Sequence, residues 1–242
     1  MFGGRKMKKL GSIVLSLSIL FFLTACSSDT DQHSLEVNGP GGGYVGAEAF
    51  EPAMVAGQTI YTYHDKKGIW TGVTFLADGM MHYQNIYDLD HSTDYSIVKG
   101  EIAVNDGNRD PVIHLMEAKA TTWIVHGKDN DGRDWQDEWH LQLKFKPEML
   151  IGKHYLSNYD YQGQHIVEKV YFTKSTLEVT TPEGNPKHAY PYRLENGTII
   201  ASKEDGEFTL NLMFPDEKGG YGIWYASPTE NYANISIWSP ID

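Results

Sequence analysis

Apolar and polar residues alternate with a period of two along much of the chain after residue 50, a pattern typical of β-strands with one buried face. The clearest run places apolar side chains at Trp139, Leu141, Leu143 and Phe145. A second run, interrupted by Met213 on its predicted outer face, contains Phe208, Leu210, Leu212 and Phe214. No segment sustains a period of 3.6 residues, so we expect helices only as short turns.

Dipeptides that favour tight hairpin turns separate the runs, namely Asp78-Gly79, Asp106-Gly107, Asp131-Gly132, Asn196-Gly197 and Asp205-Gly206. The spacing of turns and runs predicts about eight strands in the first half. These are Gln58–His64, Trp70–Leu76, Met80–Ile86, Tyr95–Lys99, Glu101–Asn105, Val112–Glu117, Thr122–His126 and Glu138–Phe145.

The second half of the chain repeats the first. Tyr95–Ile102 (YSIVKGEI) matches Tyr192–Ile199 (YRLENGTI), 97 positions later. Further matched segments are Val73–Phe75 with Val170–Phe172, Ile113–Met116 with Leu210–Met213, Met54–Gly57 with Met149–Gly152, Trp123 with Trp224, and Leu141–Leu143 with Ile235–Ile237. Matched segments in one order indicate an internal duplication.

We therefore predict an all-β protein with two tandem repeats, residues 51–146 and 147–242. Each repeat is expected to close into a small antiparallel barrel of about eight strands. A closed barrel leaves no sheet edge and encloses room for side chains or one small ligand. One larger sandwich or barrel built from both halves is the alternative.

The N-terminus has the pattern of a bacterial export signal. Basic residues precede the apolar stretch Ser12–Leu23, which is shorter than the roughly 20 residues of a membrane-spanning helix. The following quartet, Leu23-Thr24-Ala25-Cys26, resembles the lipobox of bacterial lipoproteins. The resemblance implies removal of residues 1–25 and attachment of acyl chains, such as palmitate, through Cys26.

A chain processed in this way is exported and held on the membrane by its lipid. Because Ser27, and not aspartate, follows Cys26, the lipoprotein pattern favours the outer membrane in a Gram-negative host. Cys26 is the only cysteine, so its lipidation leaves no thiol for a disulfide or a nucleophile. Residues 26–50 are polar and rich in glycine, and we predict a disordered, flexible tether there.

Charge restricts the possible partners. Without the four basic residues of the signal, the chain has 16 basic and 32 acidic residues, a formal charge of −16. Nucleic acid binding requires clustered lysine and arginine, so we expect no nucleic acid partner.

The barrel pattern also resembles lipocalin-like envelope lipoproteins, in which the segment Thr74–Gly79 (TFLADG) is common. The Gly-x-Trp signature of lipocalins is missing from this chain.

Two acidic stretches are candidate metal or acid–base sites, Asp129–Glu138 and Asp88–Asp94. The first fails the calcium-loop pattern because Gly132 stands at position four and not six, and we interpret both stretches as solvated loops.

His126 and His140 flank one hairpin and are the histidines that we expect to approach each other. With no zinc motif, nucleophile elbow or phosphate loop, we predict no catalytic residue, metal or cofactor, and a protein that is not an enzyme.

Aromatic residues are the remaining candidates for binding. We interpret most tryptophans as core residues, although any of them could line a pocket: Trp70, Trp123, Trp135, Trp139, Trp224 and Trp238. Tyr159, Tyr161, Tyr190 and Tyr192 are predicted at a partner surface. The expected function is binding of a small apolar or envelope-derived ligand, and the alternative is an accessory role through contact with an envelope protein.

Overall fold

The structure, a computed structural model, describes residues 35–64, 69–86, 88–105, 111–128, 132–215 and 219–241. The predicted lipidation site, Cys26, lies outside the described residues. Among the described residues, no helix is long and apolar enough to span a membrane.

Two closed antiparallel barrels of eight strands follow one another along the chain, which confirms the predicted all-β fold and rules out one merged sheet. The first barrel consists of β1 (Thr59–His64), β2 (Ile69–Phe75), β3 (Met80–Asn85), β4 (Asp88–Val98), β5 (Glu101–Asn105), β6 (Val112–Ala118), β7 (Thr122–Lys128) and β8 (Asp134–Leu141). The second consists of β9 (His154–Tyr161), β10 (Gln164–Phe172), β11 (Thr176–Thr180), β12 (Pro186–Glu195), β13 (Thr198–Lys203), β14 (Gly206–Pro215), β15 (Tyr221–Ser227) and β16 (Tyr232–Ile241).

The duplication is visible in matching local structures. A short helix enters each barrel, α1 (Pro52–Val55) and α2 (Pro147–Leu150), and each begins with proline and buries the methionine of the repeat. Left-handed two-residue turns stand at equivalent hairpins, Lys99-Gly100 and Asn196-Gly197. Two further 3-10 turns lie at Pro40–Gly43 and Pro228–Glu230.

The alignment of Trp123 with Trp224 is wrong. Trp123 belongs to the core of the first barrel and pairs with Trp139, whereas Trp224 is buried on the outer face of the second. The structural counterpart of Trp123 in the second barrel is Tyr221, which pairs with Trp238 as Trp123 pairs with Trp139. The alignment of Leu141–Leu143 with Ile235–Ile237 is shifted for the same reason, because sequence similarity alone does not fix which face a residue occupies.

Strand β8 ends at Leu141, so the predicted strand Glu138–Phe145 is wrong at both ends. Residues 142–146 connect the barrels. The amide of Leu143 donates to the Leu212 carbonyl at 2.8 Å, and the side chains of Leu143 and Phe145 belong to the second core. The alternation of apolar and polar residues continues through residues 142–146 because this segment stays extended with one buried face. That face packs against the second barrel and no longer against the first.

Residues 35–50, which we predicted as part of a flexible tether, pack against the barrels, mainly against the first. The Gly41 amide donates to the fully buried Gln58 side chain at 2.9 Å, and the ring of Phe50 lies 5.6 Å from that of Trp123. A Cβ atom at Gly41 would stand 2.5 Å from the Trp123 ring. Glycine here permits close approach of the backbone, which composition alone cannot distinguish from flexibility.

A third apolar cluster lies between the barrels and joins their outer faces. It comprises Tyr61, Met213, Trp224, Ala226 and Ala233, with Trp70, Phe214 and Ile235 packed against it. The Trp70 ring stacks on that of Phe214 with centroids 5.3 Å apart. Met213, predicted on a wet face, is completely buried by this contact.

Candidate functional site

The second barrel contains a cavity of about 650 Å³ that is partly open to solvent. Side chains that point inward from its strands form the wall, because residues of alternate parity in a closed barrel face the interior. The volume is within the range of small-molecule sites in proteins, about 300–1,000 Å³.

The most buried part of the wall is apolar. It is formed by Val170, Leu177, Val179, Leu210 and Trp238. One polar pair interrupts it, where the hydroxyl groups of Ser157 and Ser236 lie 2.7 Å apart. Because the Ser236 hydroxyl also lies 3.3 Å from the Asn158 carbonyl, the pair finds its hydrogen-bond partners within the protein, and this inner end of the cavity favours an apolar ligand group.

A chain of ring contacts runs along the wall, and we call it the aromatic belt: His188, Tyr190, Phe208, Tyr225, Tyr232 and Tyr161. Successive ring centroids are 5.1–5.9 Å apart. The spacing falls within the range of favourable aromatic pairs. The belt therefore lines the cavity with six rings that pack against one another in sequence.

Charged groups accompany the belt. The Lys203 ammonium contacts a Glu230 carboxylate oxygen at 2.6 Å, and the Tyr225 hydroxyl donates to the other oxygen at 3.1 Å. Farther along the wall, Glu168 accepts hydrogen bonds from the Tyr159 hydroxyl at 3.1 Å and from Lys187 at 2.7 Å. The side chains of Glu168 and Lys203 are each only 14% exposed, so these charges belong to the interior.

These surroundings shift the pKa values of the site. The hydrogen bond from Lys203 lowers the pKa of Glu230, which keeps this carboxylate ionised. Burial raises the pKa of Tyr232 to about 12, and burial followed by the nearby Glu168 charge raises the pKa of Tyr159 further. Tyr159 and Tyr232 are consequently neutral hydrogen-bond donors at physiological pH.

Three of the four tyrosines predicted at a partner surface line this cavity: Tyr159, Tyr161 and Tyr190. Tyr192 does not, because it packs edge-on against Phe172 and donates to the Thr173 carbonyl. The spacing of Tyr159 and Tyr161, two residues apart on one strand, indicates that they share a face, but not that this face points inward.

Sequence reasoning missed Glu168 and Lys203. Each stands on the inward parity of its strand, Glu168 between Ile166 and Val170, and Lys203 after Ile199 and Ala201. A charged residue on a strand face whose other residues are apolar was the available indication of a functional interior.

The first barrel has a different pair of residues at the position equivalent to part of this cavity wall. Trp135 pairs with Gly127 across β7 and β8, where the second barrel pairs Asn234 with Tyr225. The indole packs against the first core, and a Cβ atom at Gly127 would stand 2.3 Å from it. Trp135 therefore occupies interior space that the smaller Asn234 leaves open.

The acidic stretches and histidines are placed differently from our predictions. The described parts of both stretches lie mainly on strands, β4 and β8, and not only in loops. His126 and His140 do not meet: His126 lies beside His114 with centroids 5.9 Å apart, whereas His140 contacts Trp70 and Phe214. Within the described ranges, no group of three histidine, cysteine or acidic side chains is arranged to hold a metal ion.

No protein-family model matches the chain, and a search of curated proteins found no match. Two barrels of eight strands, one with a sizeable cavity, are compatible with a lipocalin-like binding fold. The function therefore has to be argued from the cavity itself.

Proposed function

We propose that the protein binds a small ligand with an apolar body inside its second barrel, and that a lipid on Cys26 tethers it to the bacterial envelope. The observation that supports binding is the cavity of about 650 Å³ with its apolar inner end and its few polar and charged side chains. A pocket with an apolar lining and a few fixed polar groups is the usual form of a ligand site. The proposed role is non-enzymatic.

Binding can be tested with N-phenyl-1-naphthylamine, a neutral apolar fluorophore, and the full chain carrying Cys26→Ala. We expect saturable binding of one probe per chain. Val179→Trp, which fills the cavity, should weaken it at least about tenfold, since an indole removes the space that the probe needs. Glu178→Trp is the matched control, because Glu178 is the outward-facing neighbour on β11.

Equal binding by the Val179→Trp and Glu178→Trp proteins would place the probe outside the cavity and contradict the proposal. Native mass spectrometry of the protein purified from its own host provides a second measurement. A bound mass that the Val179→Trp protein lacks would identify the natural ligand class.

The tether rests on the lipobox resemblance of Leu23–Cys26 and has its own test. Cys26→Ala should abolish incorporation of labelled palmitate and move the protein from the membrane to the soluble fraction. In a Gram-negative host, Ser27→Asp should retain the lipidated protein in the inner membrane. An unchanged membrane fraction in the Cys26→Ala protein would end the lipoprotein proposal.

A further inference from the structure

Two carboxylates and one ammonium line the cavity of the second barrel. Glu168 and Glu230 are the carboxylates and Lys203 is the ammonium, while the Lys187 ammonium that pairs with Glu168 at 2.7 Å does not line the cavity. Lys203 is already neutralised by Glu230 at 2.6 Å, so it offers little attraction to an anionic ligand. Carboxylates therefore outnumber ammonium groups on the cavity wall itself, which favours a cationic guest over an anionic one.

The aromatic belt adds attraction of the same sign. The faces of tyrosine and phenylalanine rings carry negative partial charge and attract cations within about 6 Å, most strongly where water is excluded. Four tyrosines and Phe208 of the belt line the cavity, together with His188. Cages of aromatic rings are a known solution for holding ammonium groups that donate no hydrogen bonds.

The protein already holds one ammonium in this environment. The Lys203 nitrogen lies 5.9 Å from the centroid of the Phe208 ring while it contacts Glu230. Its side chain is largely buried, so the combination of ring face and carboxylate accommodates a desolvated cation within the barrel.

Glu168 offers a second carboxylate for a ligand. One of its oxygens accepts from Tyr159 and the other from Lys187. A carboxylate has about four acceptor positions, so two are left for further contacts. Glu168 lines the cavity beside Tyr159, whereas Lys187 does not line it.

We propose that the ligand of the second barrel is an organic cation: an ammonium or trimethylammonium group with an apolar body. The cationic group lies among the aromatic belt and Glu168, and the apolar body occupies the inner end beside Leu210 and Trp238. This inference rests on the proposed function, because it specifies the chemistry of the ligand in the same cavity.

Three probes with the same ten-carbon tail test the charge: decyltrimethylammonium, decanol and decanoate, each titrated below its aggregation limit into the full chain carrying Cys26→Ala. We expect decyltrimethylammonium to bind about tenfold more tightly than decanol, and decanoate to bind more weakly than decanol. Isothermal titration or intrinsic fluorescence gives the affinities.

Two variants locate the preference. Glu168→Gln should reduce the ratio of the trimethylammonium affinity to the decanol affinity to near one, because it removes the carboxylate but keeps its shape. Glu178→Gln, on the outer face of the neighbouring strand, should leave the ratio unchanged. Tyr190→Leu should lower the same ratio without changing the charge of the cavity.

The outcomes separate the two proposals. Binding of decanol or decanoate as tight as that of the cation overturns the cationic inference but leaves the binding function standing. No binding of any probe, together with failure of the naphthylamine test, overturns both. A cation preference that survives Glu168→Gln and Tyr190→Leu together places the cation elsewhere and contradicts the inference.

Discussion

At the scale of single residues, His140 shows how the second barrel changes the environment of a side chain on the first. The alternation on β8 predicts a wet face for His140, but its ring contacts Trp70 and Phe214, with the centroid of Phe214 at 5.1 Å. Burial lowers its pKa from the ordinary value of 6.5, and the nearby charges of Glu138 and Asp137 oppose this shift only in part.

The lowered pKa predicts a pH dependence of stability. Well above pH 6.5 the histidine is neutral in both the folded and unfolded chain, and it contributes nothing to the dependence. As the pH falls below that value, the unfolded chain takes up a proton that the folded protein resists, so the free energy of unfolding decreases. His140→Phe, which keeps a packed ring, should therefore reduce the loss of stability between about pH 7.5 and 5.5.

Urea midpoints at these two pH values measure the effect. His165→Phe is the control, since His165 lies on an exposed hairpin beside Asp160. A pH dependence that is identical in the wild-type and His140→Phe proteins would show that this burial does not control the titration.

At the scale of elements, the connector 142–146 holds the barrels through specific contacts. The Phe145 amide donates to the Gly197 carbonyl at 2.9 Å, and the side chain of Gln142 donates to Thr198 and Asn211, each at 3.1 Å. Gly197 has a left-handed φ of 80°, and a Cβ atom there would stand 2.8 Å from the Lys144 Cα. The connector and the turn at Asn196-Gly197 are therefore packed without intervening space.

Gly197→Ala should consequently destabilise the protein more than an alanine at a glycine with the same backbone strain but open surroundings. Gly184 provides that control, since it has φ 93° and a Cβ atom there would meet no heavy atom within 4 Å. We expect Gly197→Ala to lower the free energy of unfolding by about 2 kcal/mol more than Gly184→Ala. If urea denaturation gave equal losses of unfolding free energy for the two variants, the connector would accommodate the added Cβ atom without destabilising the protein.

At the scale of the whole molecule, the two barrels share a buried interface. Tyr61, Met213 and Trp224 are each at most 1% exposed there, and Leu143 of the connector lies in the second core. Residues 34–242 form one compact unit. Because separation would expose these side chains to water, neither barrel unfolds independently in our interpretation.

This interpretation predicts a single unfolding transition for both barrels. Ile102 and Ile199 occupy equivalent positions of the repeat and are both completely buried. Ile102→Ala and Ile199→Ala should each lower the stability of that one transition by about 3 kcal/mol. Scanning calorimetry distinguishes the alternative, in which two transitions are seen and each substitution moves only one of them.

Local pattern determined much of the fold. Seven of the eight predicted strands of the first repeat begin within two residues of an observed strand or lie almost entirely within one, and the turn at Asn196-Gly197 is confirmed. These features depend on neighbouring residues, because the alternation of side chains and the left-handed turn are local properties. Eight strands with one apolar face each permit closure of each barrel, but the structure decided this against one merged sheet.

The candidate site was predicted only in part. Tyr159, Tyr161 and Tyr190 were identified as binding residues, but at a partner surface, and Glu168 and Lys203 were missed. A tyrosine has an apolar ring and a polar hydroxyl, so its sequence position does not tell whether it faces solvent or a cavity. Only the register of β9 and β12 in the closed sheet assigns that face.

The sequence by itself determined the strand pattern, the duplication and the antiparallel class of this protein, since these depend on the period of apolar residues and on turn chemistry. Tertiary structure decided which barrel each extended segment joins, as Leu143 shows, and which outer faces are buried, as Met213 and His140 show. It also decided that one barrel is filled near Trp135 while the other keeps its cavity. Packing between distant segments has no local signature, because any apolar side chain satisfies the same alternation whichever surface covers it.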